Sequence, residues 1–137
     1  MQSRTRVNAA SFLPRHRMLL AIALLTTMHV TAPADSITGK WQIKGDVAGT
    51  PFNTTCDIRQ TGTTLSGLCT PDKGPPMPVT GQLKDATFSF QHGGDYQGQE
   101  LTIIYAGALE SPRQLKGTIT VKPFEASGTF TAEPAPK

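Results

Sequence analysis

Tryptophan occurs once, cysteine twice and histidine three times in 137 residues, and charged residues make up only 17%. So few histidines and thiols exclude a structural zinc site, which needs a second ligand pair at close spacing. There is no nucleophile elbow, no phosphate-cradling glycine loop ahead of a helix, and no pair of histidines at metal-ligand spacing. His16 and His29 lie in the N-terminal leader, which leaves His92 as the only other histidine, in a Gly-rich loop beside Asp95. Carboxylates are scattered, and Asp57 falls on the polar face of a strand. The expectation is a chain with no catalytic residues, no metal and no cofactor.

Apolar runs long enough to cross a bilayer are also missing. The best candidate, residues 18–28, is too short for a membrane span. It follows the basic residues Arg4, Arg6, Arg15 and Arg17 and precedes Thr31-Ala32-Pro33-Ala34, an A-x-A-like cleavage site. That order predicts a signal peptide over residues 1–34, with an uncleaved anchor as the alternative. No cysteine stands at the cleavage site to carry a lipid, and no Arg-Arg pair marks a twin-arginine route. The expected location is secreted or periplasmic, with no membrane span after cleavage. Removing the leader takes four of the 13 basic residues, leaving nine against ten acidic ones, so the net charge falls from +3 to about −1. The basic balance belongs to the leader, and a nucleic-acid partner, which needs a basic patch on the folded domain, is not expected. The 137 residues less the 34 of the leader leave 103, one small domain.

What the chain does have is alternation. In residues 55–70, TCDIRQTGTTLSGLCT, Cys56 and Ile58 share one face of a first arm, and Leu65, Gly67 and Cys69 share one face of a second. A two-residue turn at Gly62-Thr63 sets Thr61 opposite Thr64, Gln60 opposite Leu65, Ile58 opposite Gly67 and Cys56 opposite Cys69. The cysteines then occupy a non-hydrogen-bonded pair, where side chains approach most closely, and a Cys56–Cys69 disulfide is expected in an oxidising compartment. Buried free thiols are the alternative. Both thiols being so engaged, no cysteine nucleophile remains.

The same period continues through eight segments, 37–47, 52–60, 65–70, 79–83, 86–91, 100–109, 114–121 and 125–132, with no helical periodicity. This predicts an all-β protein, a single soluble up-and-down antiparallel barrel of about eight strands over residues 35–132, followed by a flexible Pro-rich tail at 133–137. Lys40, Lys44, Asp57, Arg59, Lys84, Lys116 and Lys122 lie opposite the apolar set, as they would on a barrel wrapped around its own core. An apolar-x-Gly pattern recurs six times, at Gly39, Gly67, Gly81, Gly107, Gly117 and Gly128, each glycine on the inward face. Inward glycine marks a bend or a close backbone approach, which a small closed barrel requires.

Trp41, Phe52, Phe88, Phe90, Tyr105 and Phe130 are assigned to the barrel interior. Short strands favour an interior filled by these side chains. Connections alternate between the two ends, and the long Gly- and Pro-rich ones, 45–51, 71–78, 91–99 and 122–125, are expected on one rim. Loops held by a rigid scaffold collect binding residues, so Pro75, Pro76, Met77, His92, Tyr96 and Phe124 are the candidate ligand or partner rim. Asn53-Thr54-Thr55 is an N-glycosylation sequon, meaningful in a eukaryotic host.

At Gly39-Lys40-Trp41 the first strand resembles the G-x-W opening of lipocalins, and Thr38-Gly39-Lys40-Trp41 is similar to the first strand of avidins. Both belong to the calycin-like group of up-and-down barrels, so the resemblance implies such a barrel and a small-molecule ligand. The single tryptophan leaves no counterparts for those that enclose biotin in avidins. The same strand with Cys56-Asp57-Ile58-Arg59 resembles the periplasmic barrels that inhibit metalloproteases through an N-terminal arm, although only Asp35-Ser36 precedes the first strand here. The expected function is non-enzymatic binding of a small apolar molecule, or of another secreted protein, at the rim. Protease inhibition and a structural envelope role without a ligand are the alternatives.

Overall fold

The computed structural model describes residues 36–137; the signal peptide expected at 1–34 lies outside the described residues. Eight strands follow in order: β1 (Gly39–Val47), β2 (Thr50–Thr61), β3 (Thr64–Pro71), β4 (Met77–Lys84), β5 (Thr87–Tyr96), β6 (Gln99–Ser111), β7 (Gln114–Lys122) and β8 (Ala126–Pro134). Each pairs antiparallel with its sequence neighbour, and β8 returns to pair with β1, closing an up-and-down barrel. The alternation of the sequence is the reason: one residue in two points inward, and closure gives all eight apolar faces one shared interior.

The stapled hairpin has the register expected of it. Thr61 pairs Thr64, Ile58 pairs Gly67 and Cys56 pairs Cys69, and the two cysteines form a disulfide with Cα atoms 4.0 Å apart. Closing a chain loop of this length contributes on the order of 3 kcal/mol in the chain-entropy account.

The core depends on large side chains set beside glycines. Along one row, Phe88 of β5 pairs Gly107 of β6, Gly107 pairs Gly117 of β7, and Gly117 pairs Phe130 of β8. The two phenyl rings reach over the glycines to within 6.2 Å of each other, centroid to centroid. Phe90 sits beside Gly81 in the same way, and Ile119 beside Gly128. At Gly107 an added methyl would run into the carbonyl oxygen of Lys116 and lie 2.8 Å from the Cα of Gly117. Trp41, Phe88, Phe90, Tyr105 and Phe130 are buried, whereas Phe52 is only half-buried and stands nearer the open end. At the opposite end Ile37, just ahead of β1, is fully buried, its carbonyl accepting the Trp41 indole N–H at 2.8 Å and its N–H donating to the Gln60 side chain at 3.1 Å. Residues 36–38 therefore help close the barrel.

Two expectations are corrected. The rim was read as loop-rich, but only the β3–β4 connection, residues 72–76, is long. Residues 48–49 and 97–98 are two-residue turns, and β5 runs on to Tyr96 where a loop from Gln91 was expected. In both turns the two central residues have positive φ, Ala48 with Gly49 and Gln97 with Gly98, the geometry of a type I′ hairpin. Both are tied by an aspartate three residues ahead of the glycine, Asp46 Oδ1 accepting from Gly49 N–H and Asp95 Oδ1 from Gly98 N–H. Second, β8 continues through Pro134, with Glu133 paired to Gln42 and Pro134 to Trp41. Ala135 N–H donates to Lys40 O at 2.8 Å, so the sheet claims residues assigned to the tail.

Gly107→Ala is expected to destabilise the barrel by about 2–3 kcal/mol, because backbone of the neighbouring strand cannot move aside without breaking ladder hydrogen bonds. Gly98→Ala, with open space around its added methyl, carries only the positive-φ cost of about 1 kcal/mol. Urea unfolding of the two variants compares them, and equal losses would contradict the packing account.

Candidate functional site

The end of the barrel opposite Ile37 is open. Strand ends at Val47, Thr50, Pro71, Tyr96, Val121 and Ala126 ring a cavity of about 530 Å³, within the range of small-molecule sites. Its walls are Phe52, Leu101, Ile103, Val47 and Val121, and no Asp, Glu, Lys or Arg is among the residues that line it. At the lip Tyr96 and Phe124 stand 57% and 56% exposed, their rings edge-to-face at 6.3 Å. Exposed aromatic rings in contact present a water-facing apolar area that a third group can cover.

The floor is polar, and it lies at the junction between mouth and core. Tyr105 forms part of it, its ring stacked on Phe90 at 4.9 Å and edge-on to Phe130 at 5.2 Å. Below that layer the interior is filled by Phe88, Phe90, Phe130 and Trp41. His92, 6% exposed, contacts Gly93 O through Nδ1 at 2.6 Å and the Tyr105 hydroxyl through Nε2 at 3.2 Å. A carbonyl oxygen can only accept, so Nδ1 carries the proton. In the neutral ring Nε2 is then a lone pair, and the Tyr105 O–H donates to it. Desolvation holds the His92 pKa below its ordinary value, and the bond to Gly93 O only partly opposes this. Burial alone pushes the Tyr105 phenol well above its ordinary value, so its O–H stays intact. Tyr105 thus spends its proton on His92 and keeps a lone pair.

The third polar residue of the floor is Thr54. It is 2% exposed, and its hydroxyl has no hydrogen-bond partner. It follows from the alternation of β2, which turns Phe52, Thr54, Cys56 and Ile58 inward, and it pairs with Pro71, which has no N–H to offer. An unpaired buried hydroxyl costs about 1–3 kcal/mol. The disulfide two residues further along each strand fixes this part of the wall.

The structure divides the residues singled out from the sequence. His92, Tyr96 and Phe124 come together at the mouth, with Phe52 and Tyr105 from the assigned interior. Pro75 and Pro76 are exposed in the β3–β4 connection and Met77 begins β4; none of the three lines the cavity. Thr54, Leu101, Ile103 and Val121 line it without having been named as site residues. Their signal was present, since each lies on the inward face of its strand, one or two positions past the apolar core. Among the described residues no group of three or more His, Cys, Asp or Glu side chains is placed to hold a metal ion.

Thr54→Val keeps the side-chain shape and removes the orphan hydroxyl, so a gain of about 1 kcal/mol is expected in urea unfolding. A loss would mean that the hydroxyl has a partner in solution. His92 gives a pH signature. Its pKa is lowered on folding from an ordinary value of about 6.5, so between these two values the unfolded chain binds more protons. Its stabilising contribution is complete above about pH 6.5 and is lost as acid carries the pH down through that window. Thermal unfolding of His92→Gln is expected to depend less steeply on pH below about 6.5 than that of the parent; parallel profiles would refute this.

Comparison with known proteins speaks to the architecture. No protein-family profile matches this chain, and no curated protein matches it. Among solved structures, a redesigned β-barrel, b11L5F_LGL, is similar with TM-score 0.59 and 16% identity, over 77% of this chain and 100% of its own. A redesigned β-barrel, mFAP1, bound to DFHBI, has TM-score 0.54 and 18% identity, over 70% of this chain and 93% of its own. EF1p2_mFAP2b, also bound to DFHBI, has TM-score 0.53 and 18% identity, over 72% and 93%. At such identities the likeness is one of fold, the small antiparallel β-barrel.

Proposed function

We propose that this chain is a secreted or periplasmic binding protein without catalytic activity, which takes a small, largely apolar molecule into the mouth of its barrel. The observation that carries this reading is the 530 Å³ cavity with apolar walls and no charged lining residue. A molecule entering it exchanges water for aliphatic and aromatic contact, worth roughly 25 cal/mol per Å² of apolar surface buried. The exposed Tyr96–Phe124 pair extends that surface outward as a lip. Two proteins of like fold, mFAP1 and EF1p2_mFAP2b, are bound to DFHBI, which supports a small-molecule ligand. The G-x-W opening at Gly39-Lys40-Trp41 supports a calycin-like relationship. His92 has both ring nitrogens engaged, which favours a structural over a general-base role. The same exposed aromatic lip is what a partner protein would use, and that is the second reading.

Nile red, an uncharged dye whose emission moves to the blue in apolar surroundings, is expected to bind the purified protein. Combined Tyr96→Ala and Phe124→Ala substitution should weaken it by about tenfold, as removal of two half-exposed rings implies. Leu68→Ala, on the outer face, should leave it unchanged. A folded protein that fails to bind the dye would favour the partner-protein reading.

A further inference from the structure

We propose that the molecule taken into the mouth is an uncharged amphiphile that enters hydroxyl-first, its alcohol or phenol group accepting a hydrogen bond from Thr54 and donating one to Tyr105. This rests on the small-molecule reading and names the ligand's chemical class. Three observations carry it. Thr54 is nine-tenths buried and more, forms part of the cavity wall, and has a hydroxyl with no partner. A turn about its χ1 to face the mouth breaks no hydrogen bond, because there is none to break. Tyr105 lines the same floor with its proton committed to His92 Nε2, so what it has left is a lone pair.

The floor therefore offers one donor and one acceptor. A hydroxyl is the smallest head group that both accepts and donates, and it satisfies the two together. A ketone or ether satisfies Thr54 and leaves Tyr105 facing a second lone pair. A carboxylate or an ammonium is excluded on a separate ground. No Lys, Arg, Asp or Glu lines the cavity, and an unpaired charge desolvated there is far more costly than a neutral group. The remaining walls, Phe52, Ile103, Leu101 and Val121, suit the apolar body of such a molecule.

Three shape-matched probes test this: 2-naphthol, 2-methylnaphthalene and 2-naphthoate, titrated against the full chain. The naphthol is expected to bind about tenfold more tightly than the methyl compound, the value of two modest neutral hydrogen bonds, with the naphthoate weakest. Thr54→Val should reduce the preference for naphthol about threefold, the hydrogen bond to Tyr105 remaining, while leaving methylnaphthalene affinity unchanged, which also shows that the variant is folded. Equal binding of naphthol and methylnaphthalene, or a preference undiminished in Thr54→Val, would overturn the hydroxyl-first assignment and leave the apolar-ligand reading standing. Binding of none of the three by the folded protein would overturn both. Tightest binding of the naphthoate would show a positive charge at the floor and reject the neutral class.

Discussion

A narrow closed barrel has too little interior for eight strands of large side chains, and the pairing of rings with glycines is what resolves this. Phe88 and Phe130 meet across Gly107 and Gly117, and Phe90 takes the room beside Gly81. At Gly107 and Gly117 the two backbones approach so closely that neither position has space for a methyl group. The rings of Phe88 and Phe130 pair with these glycines and take the interior space beside them. Closure in turn leaves no sheet edge to pair with another chain.

Filling is uneven along the axis, and the mouth is a consequence. Rings and aliphatic side chains are stacked from the Ile37 end up to Tyr105. Above Tyr105 the inward positions carry Phe52, Thr54, His92, Val47, Ile103 and Val121, together with glycine at Gly94, and the cavity of about 530 Å³ opens among them. The hydroxyl of Thr54 and the His92–Tyr105 pair mark the boundary between the two regimes. A polar layer at that depth is costly to stability, a cost that the polar end of the proposed ligand would offset.

Much of the site is legible along the chain, and the rest is hidden for separate physical reasons. Apolar alternation marks a strand only as far as its apolar residues extend. In β5 it was lost after Phe90, because His92 is polar, Gly94 is small and Tyr96 is amphipathic, although all three keep the period of two. The hairpin turns Asp46–Gly49 and Asp95–Gly98 resemble loops in sequence because they lack Asn-Gly or Asp-Gly at the centre. Their signal is an aspartate three residues before a glycine, which supplies the side-chain acceptor for the turn's last N–H. Pro75 and Pro76 drew attention as rim residues through composition, whereas lining a mouth depends on which strand ends point inward.

By itself the sequence determined the all-β class, the register of the stapled hairpin with Cys56 opposite Cys69, and the inward apolar residues of the strands. These are local properties: a period of two and a two-residue turn need no knowledge of the rest of the chain. Tertiary structure decided that β8 pairs with β1, that a ring from one strand lies over a glycine of the next, and that Thr54, His92 and Tyr105 share one floor. Those facts depend on where β2, β5 and β6 stand around a closed circle, and no local periodicity carries that information. The orphan hydroxyl of Thr54 is the sharpest case. It is unremarkable among the many threonines of the chain until closure buries it without a partner.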